Sequence, residues 1–220
     1  MSASADTRAP QLPVRRTRAD QLESNRAALI RAAAQVIGQE GYAKASVGKI
    51  TALAGLGQGT FYTYFTSRQE LFDILLPELG AEMRMVLNQR IAGASTLIEA
   101  EEASYRAFVE YVIAYPGYGR ILFEADTLAP AASREHARQS YAQHIERLTR
   151  AWEKGELPDY KLEEIPSLSA VLLGLRRYFI RIHMAGYEPA IPLDTFVEVS
   201  LRAIRCALSP SVPGGRGRSA

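Results

Sequence analysis

The 220-residue sequence has one cysteine, Cys206, so no disulfide can form within the chain. That scarcity favours a reducing compartment, and a cytoplasmic location is expected. No apolar run reaches the ~18 residues that a membrane-spanning helix needs, and no membrane partner is expected. The first twenty residues hold no apolar stretch of signal-peptide length. Strict apolar–polar alternation of the strand kind is missing, and no internal repeat is visible. Short catalytic signatures are missing too: there is no G-x-x-x-x-G-K-S/T, no H-E-x-x-H and no G-x-S-x-G. Gly55, Gly57 and Gly59 form G-x-G-x-G, which is not a dinucleotide fingerprint and follows no strand. His136 and His144 share one helix, but a metal site needs more ligands than that. No enzyme, cofactor or metal is therefore expected. A small-molecule-binding helical enzyme or carrier without a short signature stays open as an alternative.

What is present is an evenly hydrophobic chain, 47% apolar, with a formal net charge of only +2. The charge is unevenly placed. Residues 1–68 carry Arg8, Arg15, Arg16, Arg18, Arg26, Arg31, Lys44, Lys49 and Arg68 against Asp6, Asp20, Glu23 and Glu40. The remainder is therefore net acidic. A basic head on a mildly acidic body fits one polyanion-binding end, although a solvated surface has the same look.

Helical periodicity accounts for nearly all of the chain. Residues 1–19 read as a flexible basic arm, its Arg15, Arg16 and Arg18 placed to reach a minor groove beside a major-groove helix. A first helix is expected over 21–40, opened by Asp20 and Glu23 and stopped by Gly41. Its apolar face is Ile30, Ala33, Ala34 and Ile37. Ser67 to Glu70 is a capping box that opens a longer helix, with a kink or break expected between Asp73 and Pro77. Further helices are expected over 97–114, 118–127, 134–154 (capped by Ser133), 166–185 (ended by Gly186) and 193–208. Pro116 and Pro130 act as breaks, and 209–220 reads as a disordered tail.

Between the first of these helices and the capping box lies the most informative stretch, residues 46–65. Ser46 caps a short helix, Gly55 turns the chain, and a second short helix carries Gln58, Thr60, Tyr62, Thr63 and Tyr64. Two short helices about a glycine turn form a helix-turn-helix, whose second helix enters the major groove. Short polar side chains there suit base edges and phosphates: glutamine reads adenine, and a threonine methyl meets the thymine methyl. Phe61 and Phe65 are expected in the core.

Ile50, Ala54-Gly55-Leu56, Gly59-Thr60-Phe61-Tyr62, Tyr64-Phe65 and Ser67-Arg68 resemble the DNA-binding domain of TetR-type transcriptional regulators. The close likeness spans about residues 23–83. Beyond it there is a weaker echo at Tyr115-Pro116 and at Arg120 through Glu124. The resemblance implies DNA contacts from Ser46, Thr60, Tyr62, Tyr64 and Arg68, to which Lys49, Gln58 and Thr63 are added from residue chemistry. It departs from the family at Gly48, where a polar side chain is common, and at Gly57, where a Ser or Thr commonly caps the second helix. Glycine is an adequate N-cap, a few tenths of a kcal/mol worse.

In the body, Tyr105, Phe108, Tyr111, Phe123, Tyr141, His144, Trp152 and Tyr178 are the candidate lining of a ligand pocket between helices. Each also fits a plain core stripe, and the pocket reading leans on the resemblance, whose members bind small-molecule effectors. The last two helices are apolar on more than one side. A two-fold dimer through Leu172, Leu175, Phe179, Phe196, Ser200, Ala203 and Ala207 is expected. Cys206 is expected to be buried and inert.

The reading is an all-α chain: a flexible basic arm (1–19), a three-helix DNA-binding head (20–83, helix-turn-helix 46–65), a helical ligand-binding and dimerisation body (84–208) and the tail (209–220). The expected partners are a pseudo-palindromic double-stranded DNA operator, a second copy of the chain and a small effector. The expected function is a sequence-specific transcriptional repressor released from its operator by a small apolar or aromatic molecule. A ligand-independent regulator or an activator remains the alternative within that class.

Overall fold

The computed structural model describes residues 17–185 and 191–210. Arg15, Arg16, Gly186 and most of the expected arm and tail lie outside the described residues. Among the described residues every regular element is a helix: α1 (Arg18–Glu40), α2 (Val47–Ala54), α3 (Gln58–Tyr64), α4 (Arg68–Ile91), α5 (Leu97–Ala114), α6 (Pro116–Leu128), α7 (Pro130–Glu153), α8 (Ile165–Ala185) and α9 (Leu193–Leu208). Single 3₁₀ turns at Tyr42–Lys44 and Leu162–Glu164 join α1 to α2 and lead into α8. No described helix is long and apolar enough to cross a membrane.

Caps explain most of the boundaries. Helix α1 starts three residues before the expected position, because Thr17 is the N-cap. Its hydroxyl accepts from the Asp20 N–H, and the Asp20 carboxylate accepts from the Thr17 N–H. Ser67 and Thr96 cap α4 and α5 through the Glu70 and Glu99 N–H groups. Pro116 and Pro130, expected as breaks, are instead the first residues of α6 and α7. A proline there loses nothing, since the first N–H groups of a helix have no intrahelical partner. Ser133 is consequently not a cap. It lies inside α7 and donates its hydroxyl to Asp126 on α6. Helix α4 continues unbroken from Arg68 to Ile91 with Pro77 inside it, so no break divides it near Asp73. The expected division between residues 83 and 84 thus falls within one continuous helix.

Helix α4 packs on α5 and α7, α7 on α8, and α5 on α9, while α1 packs on both α2 and α6. One buried cluster runs through all of these contacts, from Leu29, Ile37 and Ile50 through Leu71, Leu75 and Leu76 to Ile121, Leu148 and Phe179.

Candidate DNA-contacting helix and ligand cavity

Helix α2 begins where the Ser46 hydroxyl accepts from the Lys49 N–H, and it ends at Gly55. Gly55 has φ 69° and ψ 28°, a left-handed conformation that costs glycine no steric penalty. The turn is closed by the Leu56 N–H, which donates to the Thr51 carbonyl at 2.9 Å. Helix α3 then follows Gly57 without any side-chain cap. Ile50 and Phe61 are fully buried and Phe65 nearly so, which clamps α2 and α3 together over α1.

That clamp turns a polar face of α3 outward. Gln58, Thr63 and Tyr62 are exposed, Tyr62 to 60%, and Thr60 is half-buried. Tyr64 packs partly against the core. Ser46 and Lys49 are exposed on the adjoining helix, with the Lys49 ammonium paired to Glu40. Being exposed, that pair contributes at most about 1 kcal/mol and is readily exchanged for a phosphate. Gly48 has a local reason: a Cβ there would lie 3.1 Å from the Gln58 Nε2, so the absent side chain gives Gln58 its room. Arg68 is engaged within the protein. Its Nη1 donates to the Ala45 carbonyl at 3.3 Å, and its guanidinium lies over the Phe72 ring at 5.4 Å.

The second site is a cavity of about 380 Å³ between α4, α5, α6, α7 and α8. Phe108, Tyr141 and His144 of the expected lining face it. The other candidates do not. Tyr105 is buried in the core, and Tyr111 packs edge-on against Tyr118 at 5.3 Å. Trp152 donates its indole N–H to the Tyr160 carbonyl at 2.8 Å, and Phe123 and Tyr178 line an adjoining groove. Their aromatic period marked a helix face without showing which side of the body that face met. What the aromatic reading missed is the polar part of the wall: Arg84, Arg147, Arg176, Arg177, His136 and Ser140 all line the cavity.

Behind this wall is a buried network centred on Glu101. One carboxylate oxygen lies 3.1 Å from the His144 Nε2, and the other accepts from Arg147 at 2.8 Å. Arg176 stands 3.9 Å away and donates to the Ser104 hydroxyl. Burial pushes the Glu101 carboxyl up, but the His144 hydrogen bond and the charges of Arg147 and Arg176 outweigh it and hold the group at about 2. Burial pushes His144 down, so its neutral form is favoured, with Nε2–H donating to Glu101 and Nδ1 accepting from the Ser169 hydroxyl at 2.8 Å. His136 is pushed down to about 4, by burial first and then by the charges of Arg84 and Arg177.

On the last two helices, Leu172, Phe179 and Ser200 are buried within their own chain and cannot form a surface between copies. Leu175, Phe196 and Ala207 are half-buried and Ala203 is exposed. The outward apolar residues are Val171, Tyr178 and Val199. Cys206 is exposed, not buried.

Residues 29–75 match the family model described as bacterial regulatory proteins, tetR family. Over 83 residues, 38% of this chain and 44% of the relative, the sequence is 28% identical to YhgD of Bacillus subtilis (strain 168), an uncharacterized HTH-type transcriptional regulator. The match thus spans less than half the length of that relative. Among solved structures, the fold is similar to the fatty acid degradation regulator FadR from Bacillus halodurans. The TM-score is 0.69 at 21% identity, covering 88% of this chain and 97% of that one. It is also similar to RolR in complex with its ligand resorcinol, with a TM-score of 0.62 at 21% identity, covering 90% and 99%. At these identities the likeness is one of fold.

Proposed function

The chain is, by its N-terminal helices, a member of the tetR family of bacterial regulatory proteins, and on that premise we propose that it is a homodimeric, sequence-specific DNA-binding repressor whose operator affinity is set by a small molecule in the 380 Å³ cavity. The observation that carries the DNA-binding reading is the division of α3 into two faces: Phe61 is fully buried while its neighbour Tyr62 is 60% exposed beside Gln58 and Thr63. Such a helix is held rigidly from behind and offers donors and acceptors in front, which groove recognition requires. Ser46 and Lys49 of α2 lie to the side, where phosphates run.

Two helices connect the cavity to these groups. Helix α4 places Met83, Arg84 and Leu87 on the cavity and Arg68 against the Ala45 carbonyl. Helix α6 places Leu122 and Asp126 on the cavity. One turn away, Glu124 accepts from the Tyr42 N–H at 2.8 Å, and Arg120 donates to the Gln39 carbonyl at 2.9 Å. A ligand that moves α6 therefore moves the end of α1 as well. Bound ligand and bound DNA then weaken each other by the same factor. RolR, bound to resorcinol, is a relative in fold for which a small-molecule ligand is seen.

The test is footprinting of the purified chain on the DNA that flanks its own gene. A protected, two-fold repeated site that vanishes in Tyr62→Ala with Thr63→Ala supports the reading. Binding that is equal on scrambled duplex overturns it.

A further inference from the structure

Three residues that line one stretch of the cavity each hold a buried side-chain atom that makes no hydrogen bond: Arg84 Nη1, His136 Nδ1 and Ser140 Oγ. His136 is only 6% exposed. The first two crowd the same point, because Gly80 has no side chain. A Cβ on Gly80 would lie 2.2 Å from His136 Nδ1 and 3.2 Å from Arg84 Nη1. Buried polar atoms without partners are uncommon and each is costly, so three on one wall call for a common explanation.

Of the arginines set into the cavity wall, Arg84 lacks a close carboxylate; Arg134, which also lines the cavity, is exposed. Arg147 and Arg176 face the Glu101 carboxylate, and Arg177 is paired with Asp126. Arg84 instead gives its Nη2 to the neutral Gln139 at 2.6 Å. No carboxylate among the described residues pairs with it. Burial disfavours its charged form. A half-buried guanidinium with no carboxylate in contact, the Glu135 charge reaching it only from beyond bonding distance, is an incomplete ion pair. The groups beside it, a neutral imidazole and a hydroxyl, both donate without adding charge. The apolar part of the lining is Met83, Leu87, Phe108, Leu122 and Leu173.

The geometry points to a ligand with a single carboxylate head and an apolar body, the head drawn to the Arg84 guanidinium beside Ser140 and His136, the body lying along Met83, Leu87 and Phe108. A cavity of 380 Å³ lies within the range of small-molecule sites and holds a medium-length acyl chain or an arylalkyl group. This assignment rests on the effector reading above and narrows it, since an apolar or aromatic body alone leaves these three donors unpaired.

The experiment is calorimetric titration of the full chain with decanoate and with 4-phenylbutanoate, each beside its neutral amide and below any micelle-forming concentration. At least one carboxylate binds about tenfold or more tightly than its amide. Arg84→Met erases that preference. Ser140→Ala weakens the carboxylate several-fold while raising the melting temperature of the free protein, because it removes a buried hydroxyl that lacks a partner. Equal binding of acid and amide, a preference that survives Arg84→Met, or no measurable binding of any probe overturns the assignment. Operator affinity, measured by anisotropy without and with each probe, separates the two readings. Carboxylate binding that leaves operator affinity unchanged keeps the anion site and refutes its role as effector site. Operator release by the amides at the same concentrations as the acids keeps the effector reading and refutes the carboxylate head.

Discussion

Gly38 on α1 and Gly117 on α6 meet backbone to backbone: a Cβ placed on Gly38 would lie 2.5 Å from the Gly117 Cα. No side-chain rearrangement can relieve such a contact, because the obstructing atom is itself backbone. The two helices approach this closely only because both positions lack a Cβ. The Glu124 and Arg120 bonds to Tyr42 and Gln39 hold the same joint from the side.

Gly38→Ala should therefore force α1 away from α6. Overpacking of this kind costs about 1–3 kcal/mol, against which alanine's better helix propensity returns about 1. Urea unfolding should show a net loss, and operator affinity should change while binding to the cavity, which α1 does not line, stays near wild type. An alanine variant with unaltered unfolding and unaltered operator affinity would show that this joint carries no coupling.

Arg68 is the next case, because a residue expected on phosphates proves to be engaged internally. Its guanidinium holds the Ala45 carbonyl and covers Phe72. Arg68→Ala should weaken DNA binding on cognate and scrambled duplex alike, and it should also lower stability by about 1 kcal/mol through the lost stacking and hydrogen bond. Arg68→Lys keeps the charge but not the planar fork, so it should recover the salt dependence of binding without recovering stability. If lysine restores both, Arg68 acts only as a charge.

The buried titratable groups make the fold acid-labile in two stages. His136 sits at about 4, well under its ordinary 6.5, and His144 is shifted the same way. The unfolded chain protonates these imidazoles first. Their contribution is therefore complete above about pH 6.5 and is lost as pH falls toward 4. Glu101, at about 2 against an ordinary 4.5, adds a second loss below pH 4.5. Urea midpoints at pH 7.5, 5 and 3.5 should fall in that order. In His136→Gln the drop between the first two should shrink by about 2 kcal/mol. A variant that loses stability over that interval as fast as wild type would place the upper stage elsewhere.

These groups also show where the sequence stops being legible. The helix-turn-helix was readable because its requirements are local: an N-cap at Ser46, a left-handed Gly55 and an aromatic pair at Phe61 and Phe65. Helices α5 and α9 were bounded correctly for the same reason. Pro116 and Pro130 were misread, because a proline that forbids a helix interior is equally suited to the first turn. The polar cavity wall left a weaker trace. Glu101 stands in helical phase with Ser104, Tyr105 and Phe108, and Arg176 in phase with Leu172 and Phe179, charges on otherwise core-facing stripes. Pairing them with His144 and Arg147 needs three helices brought together, α5, α7 and α8, which no single stripe contains. Helix α8 could not be phased at all, since Val171 and Leu172 are both apolar and only packing decides which one points inward.

That adjacent pair supplies the last prediction. Val171 is 63% exposed and Leu172 only 4%. Val171, Gly174 and Tyr178 follow one another along the outer face of α8, and Phe196, Val199 and Ala203 along α9. The Tyr178 and Phe196 rings join the two rows at 6.0 Å. A continuous outward apolar ridge on two neighbouring helices is the surface an isologous four-helix contact needs, and it would cover Val171 in a dimer. A carboxylate at the two positions should therefore do different things. Val171→Asp should give a folded monomer, with wild-type helicity in circular dichroism and half the sedimenting mass. Leu172→Asp should unfold the chain, because an unpaired charge would enter the core. Ala203→Glu should behave like Val171→Asp. A wild-type chain that sediments as a monomer at micromolar concentration, or a Val171→Asp chain that remains a dimer, would remove this ridge as the interface.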